Sequence, residues 1–312
     1  MFCNFLLWSY FQEKRPCVKF CLKFFPNAGK FDKIQAMLNY PYPEVPRFEL
    51  DALGIHTSYY EAGTPNGRPI LLLHGMSTSA DSFRETMHEL ADDHWLIAPD
   101  IPGFGYTAST TPYNFPHLVE WLAAFCQARH LPPVALLGHS FGGTLAVSYA
   151  VDYPEQVEKM LLLAPAVLSS VTYPEFVKRI GVGLGLIDLG SAVSQSKLWV
   201  RRQIKTPFYD PDQMHDSVWD RRLTDYELAR QSADVLKASA FHDLRPSLTN
   251  VHHEVCLVWG ENDAVVPPSD ADQLAAHLPN SQTHLLPECG HAPMLEKQGE
   301  FQAIARRFLS KE

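Results

Sequence analysis

The sequence lacks an apolar run long enough to cross a bilayer, a low-complexity tract, a repeat at solenoid period and any surplus of basic charge. Each absence removes a class of function. With 46% hydrophobic and 20% charged residues over 312 positions, and no tract or repeat, the chain reads as globular: one large domain with an insertion, or two ordinary domains. A net charge of −9 excludes the basic face with which proteins hold nucleic acid, so no nucleic-acid partner is expected. The six cysteines show no zinc-ligand spacing, so no metal is expected either. Cys126 and Cys256 sit in apolar stretches and read as buried free thiols, which points to a reducing, cytoplasmic location. Cys17 and Cys21, one helical turn apart, read as packing residues and not as a lipidation or metal site. Gly181, Gly183 and Gly185 follow no strand and do not meet G-x-G-x-x-G spacing, which excludes a dinucleotide loop. No cofactor is expected.

The first 46 residues stand apart. "MFCNFLLWSYF" is apolar and aromatic, yet too short to span a membrane and without the positive charges that precede a signal peptide's apolar region. "EKRPCVKFCLKFF" mixes Lys and Arg with Phe, Val and Leu, as does a helix lying on a membrane surface or on the protein's own body. Residues 1–46 are therefore expected to form an extension, with peripheral membrane contact through residues 1–30. "YPYPEVPRF" follows as a Pro-rich linker.

Strand-like and helix-like stretches then alternate. "HTSYYEAG", "PILLLHG", "HWLIAPD", "PVALLGHS" and "VEKMLLLAPA" carry apolar and β-type residues between turn signals. "DSFRETMHELADD" and "FPHLVEWLAAFCQARH" space their apolar residues as helices do, and "FGGTLAVSYAVDYP" carries helix formers. Such alternation implies a mostly parallel sheet with helices on both faces. From residue 167 to 242 the pattern is helical, including "TYPEFVKRIGVGLGLIDLG" and "TDYELARQSADVLKASA", before the strand-like "EVCLVWG" resumes the series. "SDADQLAAHLP", "SQTHLLPECGH" and "GEFQAIARRFLS" complete it as helix, strand and helix. The expected organisation is an α/β core from 47–166 and 243–312 around an eight-stranded sheet, interrupted by a helical cap at 167–242.

At one strand-to-helix junction stands Gly138-His139-Ser140-Phe141-Gly142. A serine after an apolar run is often just a helix N-cap, but capping does not explain glycine on both sides. G-x-S-x-G does: the serine takes a strained backbone in a tight turn, and Cβ atoms at the glycine positions would strike neighbouring strand and helix. A serine hydroxyl is a poor nucleophile unless an imidazole takes its proton and a carboxylate orients that imidazole. His291 lies in a Gly-bearing loop before the last helix, and Asp263 lies in the loop after the preceding strand. Glu261 is a nearby alternative carboxylate, and Asn262-Asp263 also has ordinary turn chemistry.

Four features, in this order and spacing, carry a resemblance: "LLLHG" at 71–75, "PDIPGFGYT" at 99–107, "GHSFGG" at 138–143, and the pair "WGENDAVVP" and "CGHAPMLE". Together they resemble the α/β-hydrolases of the lidded type, a family of esterases, carbon–carbon bond hydrolases, epoxide hydrolases and haloalkane dehalogenases. The resemblance implies Ser140 as nucleophile, with Asp263 and His291 following in the family's chain order. It implies an oxyanion hole from the backbone N–H of Phe141 and of Met76, and a structural role for His74 in tying down its loop. Epoxide hydrolases and dehalogenases of this family carry aspartate where Ser140 stands, so hydrolysis of a carboxylic ester or related acyl bond is expected. The alternatives are β-diketone carbon–carbon hydrolysis, cofactor-free perhydrolysis, or a small-ligand receptor built on the same fold. Enzymes cleaving ring-fission products usually have a glycine-richer oxyanion loop and a tryptophan soon after the catalytic histidine, features that "HGMSTSADSF" and "GHAPMLE" lack. Trp199, Phe208 and Trp219 suggest an apolar wall for a small-molecule pocket under the cap. None of these features sets an oligomeric state.

Overall fold

The computed structural model describes residues 40–65, 68–168, 179, 182–185, 187, 188, 200 and 202–310. The surface helix and membrane contact expected within residues 1–30, with Cys17 and Cys21, fall outside the described residues, as do Gly181 and Trp199. The chain divides into Met1–Pro41 and a second compact unit, Tyr42–Glu312, which carries the features that follow.

Eight strands form one sheet: β1 (Arg47–Ala52), β2 (Ile55–Ala62), β3 (Pro69–Leu73), β4 (Trp95–Pro99), β5 (Val134–His139), β6 (Val157–Leu163), β7 (Glu254–Gly260) and β8 (Ser281–Leu286). Their order is β1-β2-β4-β3-β5-β6-β7-β8. The pairs β1/β2 and β2/β4 are antiparallel and all others parallel. The central strands "PILLL", "WLIAP" and "VALLGH" are buried at every position. Continuous apolar runs are what a strand covered on both faces requires. Leu71, Leu73, Leu136 and Leu162 join a cluster with Trp121, Phe125 and Leu145. The alternate residues Ile70, Leu72 and Leu137 are equally buried outside that cluster, so helices cover the second face too.

Those helices are α1 (Arg84–Leu90), α2 (Phe115–Ala128), α3 (Phe141–Asp152), α4 (Asp216–Leu228), α5 (Ser232–Phe241), α6 (Arg245–Leu248), α7 (Ser269–Ala275), α8 (Pro293–Glu296) and α9 (Gln298–Leu309). The start of α2 shows why its boundary falls there: Asn114 Oδ1 accepts the His117 N–H at 2.9 Å, and Pro116 occupies the first turn, where its missing N–H costs nothing. Between β6 and β7 the chain leaves the sheet and inserts α4, α5 and α6.

Two local expectations are revised. The Pro-rich stretch is not a loose linker: Val45 is buried, the Tyr42 hydroxyl donates to Glu89 Oε1 at 3.0 Å, and its last residues begin β1. β1 alternates charged Arg47, Glu49 and Asp51 with apolar Phe48, Leu50 and Ala52, but it is mostly exposed, and it is held by pairing with β2 across a Leu53-Gly54 turn with φ of 53° and 73°. The helical stretch "TDYELARQSADVLKASA" also breaks, at residues 229–231, between α4 and α5. There the Arg230 N–H donates to Gly103 O at 2.9 Å, and the Gln231 amide braces Thr110 N and O at 2.9 Å each. These bonds to the core outweigh local helix propensity.

Candidate active site

Ser140 sits between the end of β5 and the start of α3 with φ 51° and ψ −116°, a conformation a non-glycine residue takes only where surroundings enforce it. The enforcement is visible: Ser140 N–H donates to Leu163 O at 2.9 Å, and Ser140 O accepts from Thr144 N at 3.1 Å and Ala166 N at 3.2 Å. A Cβ on Gly142 would lie 2.1 Å from Leu73 O, and one on Gly138 would lie 2.7 Å from the Gly143 Cα. Glycine is the residue that lets the turn close. β5 is buried throughout, whereas Ser140 itself is half-buried and faces a cavity of about 320 Å³.

His291, in the loop after β8, lines the same cavity. Its Nδ1 lies 2.7 Å from Asp263 Oδ2, with the two side chains 7% and 0% exposed. Asp263 follows β7, and its Oδ1 accepts the N–H groups of Val265 at 2.7 Å and Val266 at 2.9 Å. A carboxylate so occupied can only accept at Oδ2, which puts the imidazole proton on Nδ1 and leaves Nε2 with a free lone pair. Glu261 is exposed and makes no bond to His291. The structure thus brings Ser140, Asp263 and His291 together at the C-terminal ends of parallel strands, where α/β sheets place their ligand sites.

Met76, after β3, lines the cavity beside Ser140. Phe141 opens α3, where an N–H has no acceptor within the helix. Among the described residues no acceptor pairs with the N–H of either one.

A family model described as "alpha/beta hydrolase fold" matches residues 68–298. The chain belongs to that family. Two relatives give the range of its members. The 2-hydroxymuconate semialdehyde hydrolase of Pseudomonas sp. (strain CF600) is 26% identical over 293 residues, 86% of this chain and 95% of that protein. Monoacylglycerol lipase ABHD6 of Homo sapiens is 26% identical over 264 residues, 81% of this chain and 78% of that protein. Among solved structures, a serine hydrolase involved in carbazole degradation superposes with a TM-score of 0.72 at 24% identity, over 86% of this chain and 99% of that one, a likeness of fold.

Within this α/β-hydrolase, His74 is structural as expected. Its Nδ1–H donates to Gly75 O at 2.8 Å and its Nε2 accepts the Ile101 N–H at 2.9 Å, tying the loop after β3 to that after β4. Burial holds its pKa down at about 4, so it stays neutral. Three participants were not visible in the sequence. His139 donates Nε2–H to His291 O at 2.8 Å, and burial followed by the nearby His291 holds its pKa well below the ordinary value. Arg222, on α4, lines the cavity with a buried Nε that has no acceptor among the described residues. Glu296, in α8, gathers backbone N–H groups around the His291 loop. Tertiary packing brings each of them to the site, and no local pattern marks it.

The pocket wall differs in part from the apolar one expected. Phe208 lines it, with Trp219 packed edge-on at 5.0 Å, but Gln203, Arg222, Tyr226 and Ser232 line it as well.

Proposed function

We propose that the protein is a serine hydrolase that cleaves a carboxylic ester, or a related acyl bond, of a small molecule through an acyl-enzyme intermediate. The observation that carries this is Ser140, held at a strained turn, sharing one cavity with an imidazole whose Nδ1 is fixed by Asp263. His291 Nε2 takes the Ser140 hydroxyl proton as Oγ attacks the carbonyl carbon. The N–H groups of Met76 and Phe141 receive the charge that develops on the carbonyl oxygen, and losing one such donor typically costs about 10²- to 10³-fold in rate. The tetrahedral intermediate collapses with the alcohol leaving on the proton carried by His291. Water, deprotonated by His291, then releases the acid and restores Ser140. No metal or cofactor enters these steps, and the helices inserted between β6 and β7 act as the cap that supplies part of the pocket wall. The lipase among the relatives agrees with acyl chemistry.

A second reading, hydrolysis of a carbon–carbon bond in an acid-bearing β-diketone, is favoured by one observation. Arg222 lines the cavity with a buried Nε that has no acceptor among the described residues, a donor that suits an anionic substrate group; a semialdehyde hydrolase among the relatives agrees with this reading. Assay of p-nitrophenyl esters of rising chain length tests the first reading. Turnover that Ser140→Ala lowers about a thousandfold or more is expected. A substrate preference confined to carboxylate-bearing diketones, lost in Arg222→Met, would favour the second.

The protein's setting is also proposed: residues 1–30 make peripheral membrane contact. Among the described residues no helix is long and apolar enough to cross a membrane. Full-length protein is expected to pellet with anionic liposomes and a variant lacking residues 1–44 to remain in the supernatant; equal pelleting contradicts this.

A further inference from the structure

The loop that carries His291 offers three consecutive backbone N–H groups, and all three are bonded outward. Gly290 donates to both oxygens of Glu296 at 3.1 Å, and Ala292 donates to Glu296 Oε1 at 3.1 Å. Between them, His291 donates to Pro207 O at 2.7 Å. The same Glu296 carboxylate accepts the Tyr209 N–H at Oε2, at 2.7 Å. Pro207 and Tyr209 belong to the segment inserted between β6 and β7, and Phe208 between them lines the cavity. The fit is close: a Cβ on Gly290 would lie 2.4 Å from Pro207 O and 2.8 Å from Tyr209 N. Hydrogen bonds to an ionised acceptor are roughly twice as strong as neutral ones, so Glu296 binds both partners firmly.

We propose that Glu296 is a positioning residue that couples the inserted segment to the catalytic base. It ties residues 207–209 to the backbone on both sides of His291, so the imidazole stands in its working place only while that segment is seated over the cavity. The coupling rests on the reading of His291 as general base. A plainer role for Glu296 is to cap the start of α8, since Ala292 immediately precedes that helix. Capping leaves the Tyr209 bond unexplained and predicts lost stability without a selective effect on turnover.

Glu296→Gln separates the two. The amide oxygen still accepts from Gly290 and Ala292, while the amide N–H₂ is set against the Tyr209 N–H. Coupling predicts that kcat falls about 10- to 100-fold, the range for a small misplacement of a catalytic group. It also predicts that KM and melting temperature stay near wild type, and that labelling by a fluorophosphonate slows by the same factor as kcat. Tyr209→Pro removes the opposing N–H, so in that background Glu296→Gln has little further effect. Wild-type kcat in Glu296→Gln overturns the coupling, as does a loss of kcat matched by a loss of stability and undiminished in the Tyr209→Pro background. Failure of the hydrolase reading is distinguishable, because wild-type protein would then take no fluorophosphonate at all.

Discussion

Asp263 has three hydrogen bonds to accept and two oxygens to do it with. Val265 and Val266 hold Oδ1, and this leaves Oδ2 aimed at His291. Replacement by asparagine keeps the shape but sets an amide N–H₂ against Nδ1 or turns the side chain out of its loop bonds. In the first arrangement the imidazole proton moves to Nε2, where it blocks the acceptor that Ser140 needs. Asp263→Asn is therefore expected to lower kcat about 10³- to 10⁴-fold with little change in KM, read by steady-state ester hydrolysis beside a thermal melt. An effect below about tenfold would remove Asp263 from the proposed triad. The candidate triad was legible in the sequence because acyl transfer demands particular side chains at particular junctions. His139 was in plain view beside Ser140, but its bond to His291 O spans 152 positions and has no local signature.

At the scale of elements, α4 is fastened to the core by charged groups that are largely out of water. Arg221 bonds Asp81 and Glu85, and the Ser79 hydroxyl donates to Asp225 Oδ1 at 2.5 Å. Burial raises the Asp225 pKa from 3.8 to about 7. In the unfolded chain this carboxyl ionises near its ordinary pKa, so between about pH 4 and 7 the native state binds more protons than the unfolded one. The contribution of Asp225 to stability is then fully present below about pH 4, is lost as pH rises to about 7, and is constant above. Asp225→Asn removes that dependence. Its melting temperature relative to wild type should rise steadily from about pH 4 to 7 and level off, as thermal melts in a buffer series would show. A difference independent of pH would mean that Asp225 stays ionised in the fold. Elements with a strong apolar signature, such as β3 and α2, were legible in the sequence. The break between α4 and α5 was not, because side-chain bonds to the core decide it. β1 carries a period-2 alternation, but it is short, mostly exposed and follows directly on a Pro-rich stretch that reads as a linker.

For the whole molecule, the sheet order is what turns distant residues into one site. Parallel β3, β5, β7 and β8 all end at the same edge, so Met76, Ser140, Asp263 and His291 converge although they come from four separate loops. Alternation of strand and helix made that architecture legible from the sequence, and the family match over residues 68–298 agrees with it. The composition of the pocket was less legible. Trp199, Phe208 and Trp219 read as an apolar wall in the sequence, but the residues that line the cavity include Arg222 and Gln203. Burial and unpaired donors emerge only when helices from separate stretches meet. The central claim is that Ser140 is an activated nucleophile, and intact mass after incubation with a fluorophosphonate tests it most directly. One covalent adduct on wild type and none on Ser140→Ala is the predicted result. Folded wild-type protein that takes no adduct would contradict it and move the small-ligand receptor reading ahead.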